Sequence, residues 1–338
     1  MKNILLIATG GTIASSESAE GLTPSIDVNK LLSYIPEIKS ICHLDGISIM
    51  NVDSTNMNPS LMARIAQAVA DNYNQYDGFV ITHGTDTCGY SAAALSYMMT
   101  NLNKPVILTG SQIPIEALYT DAKKNLSDAI RFACDGINGV YVCFDGSLIC
   151  GTHAMKVKTR SSDAFKSINF PVVAQIKLGK ITHNQMLTLS GHWDTLTGTV
   201  NGDFAVDTAL CTDIIVLKIF PGIGTEIFDF IKDHYRGVVI ESFGIGGIPG
   251  ANNNIVEKIH ELITAGISVV ITTQCLYEGI DLSIYEVGQH LAKQNIITAA
   301  DMTTEAVTMK LMWALAHFNS QTDIKEFMEH PVFCDRSY

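Results

Sequence analysis

The sequence predicts an α/β protein: two α/β domains with mostly parallel sheets, a larger N-terminal domain and a smaller C-terminal domain joined by a linker. Three observations predict it. Short continuous apolar runs, such as residues 2–8, "GFVIT" (78–82) and "PVILT" (105–109), read as strands buried on both faces rather than as half-exposed alternating strands. Helical periodicity fills the gaps between such runs, and strands alternating with helices imply a parallel sheet. From residue 183 to about 211 the alternation lapses into Thr, Ser, Gly and Asp with scattered apolar residues, and then it resumes. The resulting bounds are 1–185 for the first domain, 186–211 for the linker and 212–338 for the second domain. A chain of 338 residues has room for both cores.

Taken in order, the first strand runs into Thr9-Gly10-Gly11-Thr12, and the apolar "ISIM" (47–50) leads into "NVDSTN" (51–56). A helix is expected over "NPSLMARIAQAVADNY", with Asn58 as N-cap, Pro59 at the first helical position, and Leu61, Ile65 and Val69 repeating every four residues. The next two strands end in "THGTDT" (82–87) and "TGSQIP" (109–114). A further helix should cover roughly 120–134, with Leu126, Ile130 and Ala133 on one face, and Asp145-Gly146 should join "GVYVCF" to "SLICG" as a hairpin. Beyond the linker, "DIIVLKIF" (213–220), "VVIES" (238–242) and "SVVITT" (268–273) read as strands. Helices are expected around 225–235, 253–264, 284–294 and 303–318.

Composition narrows the function classes. Lys and Arg number 22 against 34 Asp and Glu, a net charge of −12, so no cationic surplus exists to neutralise a nucleic acid. No stretch approaches 18 uninterrupted apolar residues, which predicts no membrane span. The opening residues enter a strand directly, so no secretory signal is expected and a cytoplasmic location follows. The eight cysteines show neither a C-x-x-C pair nor zinc spacing. They read as buried free thiols, suited to a reducing compartment, and no metal site is expected.

Ligands of an open parallel sheet bind beyond the carboxyl ends of its strands, and four polar clusters fall there: 9–12, 51–56, 82–87 and 109–114. Residues 10–15 read G-G-T-I-A-S, not G-x-G-x-x-G, and no P-loop occurs, so neither a dinucleotide nor a nucleotide phosphate is indicated. The chemistry suggested is attack by a threonine hydroxyl, with Gly-Gly letting backbone N–H groups approach an oxyanion. A hydroxyl needs a base. His83 either serves near the site or is a packed histidine fixing its loop; Lys156 is either the alternative base or a surface lysine. No Ser-His-Asp set is recognisable.

Together, "ATGGTIAS", "DGFVITHGTDT" and "KPVILTGSQIP" resemble the asparaginase/glutaminase family with threonine nucleophiles. The resemblance continues through "KVKTRSSDAFKSIN", "VVIESFGIGGIPG", "VVITTQCLYEG" and "AADMTTEAVTMKLMWAL", covering nearly the whole chain, and is nearest to the cytoplasmic type I, archaeal-like branch. It implies hydrolysis of L-asparagine to L-aspartate and ammonia through an acyl-enzyme, with minor glutaminase activity, no cofactor, and a homodimer or homotetramer. By position, it makes Thr12 the nucleophile and Thr85, Asp86 and Lys156 the second catalytic group, with Lys156 acting as a base or through electrostatics and orientation. Ser54 and Thr55 would hold the substrate α-carboxylate, Asp86 the α-ammonium, and the N–H groups of Gly11 and Thr85 the oxyanion.

Residues 15–27, polar and containing Gly21 and Pro24, sit where a closing lid would follow the nucleophile. Leu22 stands where the secreted branch has a lid tyrosine, and Gly247 where it has an asparagine reaching in from a neighbouring subunit. Tyr277 is the candidate to compensate in trans. Cys275 matches a cysteine of the regulatory site of some type I members, but Glu241 stands in place of its arginine, which implies unregulated, hyperbolic kinetics. Two rival readings exist. The glutaminase subunit of an archaeal tRNA-dependent amidotransferase carries an extra domain before the Thr-Gly-Gly-Thr motif. A non-catalytic sensor on the same fold would be expected to lack one of Thr12, Thr85, Asp86 and Lys156.

Overall fold

The apolar runs of the first half lie side by side. In the computed structural model, which describes residues 1–18, 21–24, 26–198, 202–250, 254–284 and 295–337, the chain divides into two units, Met1–Thr208 and Ala209–Tyr338. The first is built on β1 (Asn3–Gly10), β2 (His43–Val52), β3 (Gly78–Thr82), β4 (Pro105–Thr109), β5 (Gly139–Phe144), β6 (Ser147–Cys150), β7 (Ala174–Lys177) and β8 (Lys180–His183). Their order across the sheet is β8-β7-β6-β5-β4-β3-β1-β2. The strands from β2 to β5 in that order are parallel, and β6, β7 and β8 are added antiparallel. Every residue of β3, β4 and β5 is buried, as is β1 after Asn3, which is why these segments carry no alternation.

The three longest helices of the parallel connections are α1 (Pro59–Asn72), α2 (Cys88–Met98) and α3 (Ala122–Ala133). The Asn58 side chain caps α1 by accepting from the Leu61 N–H at 3.2 Å, and Pro59 sits where a missing N–H costs nothing. The stripe α1 buries is Met62, Ile65, Ala66 and Val69; Leu61, expected on it, is only half-buried. On α3, Leu126, Ile130 and Ala133 are all buried as the periodicity predicts. Helix α2 has no counterpart in the sequence reading. It is buried on every side, so its small and apolar residues show no amphipathic period. At the β5–β6 hairpin Asp145 and Gly146 take φ of 47° and 76°, the paired left-handed conformation that a two-residue turn requires.

The connection order creates a crevice. The chain leaves β1 toward β2, then crosses back over β1 to β3 and continues to β4. Loops after β1 and β3 therefore depart in opposite directions, and the gap between them at the carboxyl ends is the switch point at which such sheets bind ligands.

The segment expected to be a linker, 186–211, carries structure of its own. Gln185–Leu189 and His192–Thr197 are short helices, Leu187 and Leu196 are fully buried, and Ala205–Val206 pairs with Met99–Thr100. Phe204 stacks on Tyr73 with centroids 3.7 Å apart. Single anchoring side chains, too sparse to show a period, hold this stretch to the first unit.

The second unit has four parallel strands in sequential order, β9 (Ile214–Lys218), β10 (Gly237–Ser242), β11 (Ser268–Thr273) and β12 (Ile297–Thr298). Helices α4 (Glu226–His234), α5 (Ile255–Thr264), α6 (Thr304–His317) and α7 (Gln321–Glu329) accompany them. Of the helix expected over 284–294, residues 285–294 lie outside the described residues. Phe228, Ile231, Ile240, Ile259 and Ile271 form the middle of this unit's core. Lys310, fully buried in α6, pairs with the equally buried Asp335 at 2.8 Å and donates to the His330 carbonyl at 2.7 Å. Arg336 donates to the carbonyls of Thr298 and Met328, so charged side chains tie down the C-terminal residues. Among the described residues no helix is long and apolar enough to cross a membrane. All eight cysteines are free, but burial is less general than the sequence suggests: Cys42, Cys88, Cys143 and Cys150 are buried, Cys134, Cys211 and Cys334 are partly exposed, and Cys275 is exposed.

Glu305, in the first turn of α6, is pushed up to about 7 by burial, with the Glu241 carboxylate acting in the same direction. Between its unfolded value near 4.5 and about 7 the folded state binds more protons than the unfolded chain. Its contribution is therefore fully present below about pH 4.5 and lost as pH rises through about 7, a change on the order of 3 kcal/mol. Replacing it with Gln should flatten this part of the profile and raise stability at pH 8 relative to wild type. Urea unfolding at pH 5 and pH 8 checks this; an unchanged difference between the two pH values would contradict it.

Candidate active site

At the switch point three loops meet at backbone contact distance. Gly10 and Gly11 take φ of 104° and 77°, conformations that only glycine adopts readily. A Cβ on Gly11 would stand 2.4 Å from the Gly84 nitrogen, and one on Gly84 would stand 2.5 Å from Ser54 Oγ. The loops after β1, β2 and β3 are thus stacked, with Gly11 against Gly84 and Gly84 against Ser54. Each opens a single 3₁₀ turn: Thr12–Ala14, Ser54–Asn56 and Thr85–Thr87.

Thr12 begins the first turn and is partly exposed, while Ile13 and Ala14 behind it are buried. Ser54 is 4% exposed and wedged between loops. Its Oγ accepts from the Asp86 N–H at 3.3 Å, and its carbonyl accepts from Thr87 Oγ1 at 2.9 Å. Thr55 faces outward, with its N–H and Oγ1 both donating to Asp53 Oδ1 at 2.8 and 2.9 Å. Asp53 therefore fixes the turn that presents Ser54 and Thr55.

The densest polar contact is made by a residue from outside these loops. Lys156 ends the short strand Ala154–Lys156, paired antiparallel with Phe165–Ser167. Its Nζ donates to Thr85 Oγ1 at 2.7 Å and to Asp86 Oδ1 at 2.6 Å. The Lys156 side chain is 18% exposed and that of Asp86 55%, so the ion pair closes one wall of the crevice while the carboxylate still faces solvent. Thr85, 5% exposed, donates its hydroxyl hydrogen bond to Gln112 Oε1 at 3.3 Å. Gln112 is a contact the sequence reading missed, although it lies within "TGSQIP". Its loop is held by Asp121, whose two carboxylate oxygens accept the N–H groups of Gln112 and Ile113, each at 3.0 Å.

His83 proves to be the packed histidine. It is fully buried; Nδ1 donates to the Gly84 carbonyl at 2.7 Å and Nε2 accepts from Ser91 Oγ at 2.9 Å. Burial pulls it below its ordinary value, which keeps the ring neutral. Thr9, Thr82 and Thr109, counted among the strand-end hydroxyls, are also fully or almost fully buried. Thr9 Oγ1 donates to the Thr82 carbonyl at 2.7 Å and Thr109 Oγ1 to that of Cys143 at 2.8 Å. Burial also pushes the Cys88 thiol, close behind the site, up to about 12, which removes it as a nucleophile.

One expectation is corrected. The Gly11 N–H donates to the Val52 carbonyl at 3.0 Å, because Gly10 and Gly11 continue the β1–β2 pairing past a register shift. It is not available to an oxyanion. Among the described residues the N–H groups of Thr12 and Thr85, at the starts of their 3₁₀ turns, have no acceptor. The stretch expected as a lid forms two short antiparallel strands, Ser15–Ser18 and Gly21–Pro24. The Leu22 side chain and residues 19, 20 and 25 lie outside what is described. Tyr277 belongs to the second unit and is exposed there. Gly247 in the same unit exchanges backbone hydrogen bonds with Phe243.

Residues 3–189 match the model of the asparaginase N-terminal domain, and residues 213–328 that of the glutaminase/asparaginase C-terminal domain. The chain belongs to the asparaginase family. It is 36% identical to L-asparaginase of Thermococcus kodakarensis over 97% of both chains. The solved structure of that thermostable enzyme superposes with a TM-score of 0.92 at 35% identity, covering 99% of each chain. A component of the glutamyl-tRNA(Gln) amidotransferase of Pyrococcus horikoshii is 35% identical over 97% of this chain but 75% of its own length.

The loop stacking yields a stability prediction that does not depend on any activity. Gly11→Ala must both hold a left-handed residue and move a backbone neighbour, so it should lose at least the ~1–3 kcal/mol typical of such strain. Chemical denaturation measures the loss; wild-type stability would mean that the loops are not in contact.

Proposed function

We propose that this asparaginase-family amidohydrolase converts L-asparagine and water to L-aspartate and ammonia through an ester on Thr12. The observation that carries the reading is the Lys156 ammonium bridging Thr85 Oγ1 and Asp86, one glycine contact away from Thr12. The Thr12 hydroxyl adds to the side-chain amide carbon, and the negative charge that develops on its oxygen falls to the N–H groups of Thr12 and Thr85. The amide nitrogen takes up the hydroxyl proton and leaves as ammonia. A water held by Thr85 then cleaves the ester and restores Thr12. Lys156 Nζ lies 2.7 Å from Thr85 Oγ1 and 2.6 Å from Asp86 Oδ1, which places it to orient Thr85 and to act on it as a base or through its charge. The half-exposed Asp86 carboxylate suits the α-ammonium, and Ser54 and Thr55 suit the α-carboxylate.

Asparagine is preferred over glutamine because the pocket is built around two fixed ends, yet one methylene is worth only about 1–3 kcal/mol, so minor glutaminase activity accompanies it. The 36% identity to the T. kodakarensis L-asparaginase and the 0.92 TM-score of its solved structure support this reading. The working form is taken as a homodimer or homotetramer, with Tyr277 as a candidate contributor to a neighbouring site.

Ammonia release from L-asparagine and L-glutamine by the purified protein alone tests the proposal. Thr12→Ala and Thr85→Ala should each lower kcat by at least about a thousandfold without unfolding the protein. The double variant should be little worse than either, because the two residues act as one unit. Near-normal turnover by Thr12→Ala, or a kcat/KM for glutamine equal to that for asparagine, would overturn it.

A further inference from the structure

Lys156 owes its place to a very short ladder. Its strand pairs Ala154 opposite Ser167, Met155 opposite Lys166 and Lys156 opposite Phe165, and nothing more. A slip of one residue in such a ladder turns every side chain to the other face. Lys156 would then leave Thr85 and Asp86. What pins the two ends of the ladder therefore decides where the Lys156 ammonium stands.

Beyond Lys156, the Val157 N–H donates to the Ala164 carbonyl at 2.8 Å and fixes one end. At the other end the next pair in register is His153 with Ile168. Half of that pair forms, the Ile168 N–H donating to the His153 carbonyl at 3.0 Å. The other half cannot, because the His153 N–H donates back to the Cys150 carbonyl at 2.9 Å as the chain turns out of β6. Regular antiparallel pairing would have given that N–H to the Ile168 carbonyl, and Ile168 is 1% exposed. The imidazole takes over the missing bond: His153 Nδ1 donates to the Ile168 carbonyl at 2.6 Å. The ring is fully buried and stacked on Phe170, with centroids 4.8 Å apart and planes 17° apart. Phe170 is held in turn where its carbonyl accepts from Ser167 Oγ at 2.7 Å.

We propose that His153 is a positioning residue for the candidate active site. Its ring completes the base of the ladder and so keeps Lys156 on Thr85 and Asp86. A fully buried ring does not meet substrate, so His153 acts through Lys156 alone, and the inference rests on the reading of Lys156 as part of the hydrolytic site. Without the ring donor, a buried carbonyl is left unpaired, which is costly. The ladder relieves that cost by slipping or parting, and the lysine moves with it.

Three variants and a double variant test this. His153→Leu keeps apolar bulk and removes the donor. His153→Asn sets an amide nitrogen near the position of Nδ1, whereas His153→Gln sets one near that of Nε2. In crystal structures the Lys156 Nζ to Thr85 Oγ1 distance, 2.7 Å in the wild type, should pass beyond hydrogen-bond reach in the Leu and Gln variants and stay short in the Asn variant. Should the Leu variant not fold, the comparison of Gln with Asn carries the same expectation. For L-asparagine the Leu and Gln variants should lose on the order of a hundredfold in kcat, the cost of a misplacement of about 1 Å, and Asn should restore most of it. In a Lys156→Met background His153→Leu should cost nothing further, because residues acting through one another are not additive. An unmoved Lys156 in both the Leu and Gln variants, or an equal loss of kcat in the Lys156→Met background, would overturn the proposal. The distance is read without turnover, so a wild type that releases no ammonia from L-asparagine counts against the hydrolytic reading alone.

Discussion

The contact between Gly11 and Gly84 is the constraint on which the candidate site depends. The crossover order of β1, β2 and β3 opens a crevice between β1 and β3, but an open crevice alone places nothing. What narrows it is the absence of side chains where Gly11 meets Gly84, directly before the 3₁₀ turns that Thr12 and Thr85 begin. Left-handed φ at Gly10 and Gly11 turns the chain sharply enough to start the Thr12 turn immediately after the strand. The turns leave the N–H groups of Thr12 and Thr85 without acceptors, and unsatisfied donors at a turn's start are suited to a developing negative charge.

Lys156 enters from a different part of the fold, and its placement is less local. A small antiparallel ladder with Phe165–Ser167 carries it to the crevice, where it is mostly buried against Thr85 and Asp86. A cation so placed needs its partners, and each has a second tie: Thr85 to Gln112, and Asp86, through its N–H, to Ser54. Asp121 and Asp53 hold the loops that supply those ties. The polar groups of the candidate site are thereby held by carboxylates that bind the backbone of their own loops, which is how a loop-built site acquires rigidity.

Much of this was legible in the sequence because strand burial and glycine placement leave local marks. Fully apolar runs located β1, β3 and β4, and the polar clusters after β1, β2 and β3 held Thr12, Ser54, Thr85 and Asp86, whose loops meet at one crevice. What was missed has no local mark. Helix α2 is apolar all round and so has no period. The helices in the expected linker rest on isolated leucines. The link from Gln112 to Thr85 is made across separate strand ends, and the loss of the Gly11 N–H to Val52 follows from a register shift that no spacing announces. The burial of Lys310 on Asp335 likewise joins a helix interior to a distant loop.

The most direct measurement is identification of the covalent species. Rapid acid quench during turnover of L-asparagine, followed by intact-mass analysis and peptide mapping, reads which hydroxyl carries the acyl group. The account predicts an aspartyl adduct on the peptide containing Thr12. An adduct on the Thr85 peptide instead, or turnover with no adduct in a variant slowed at ester cleavage, would contradict it.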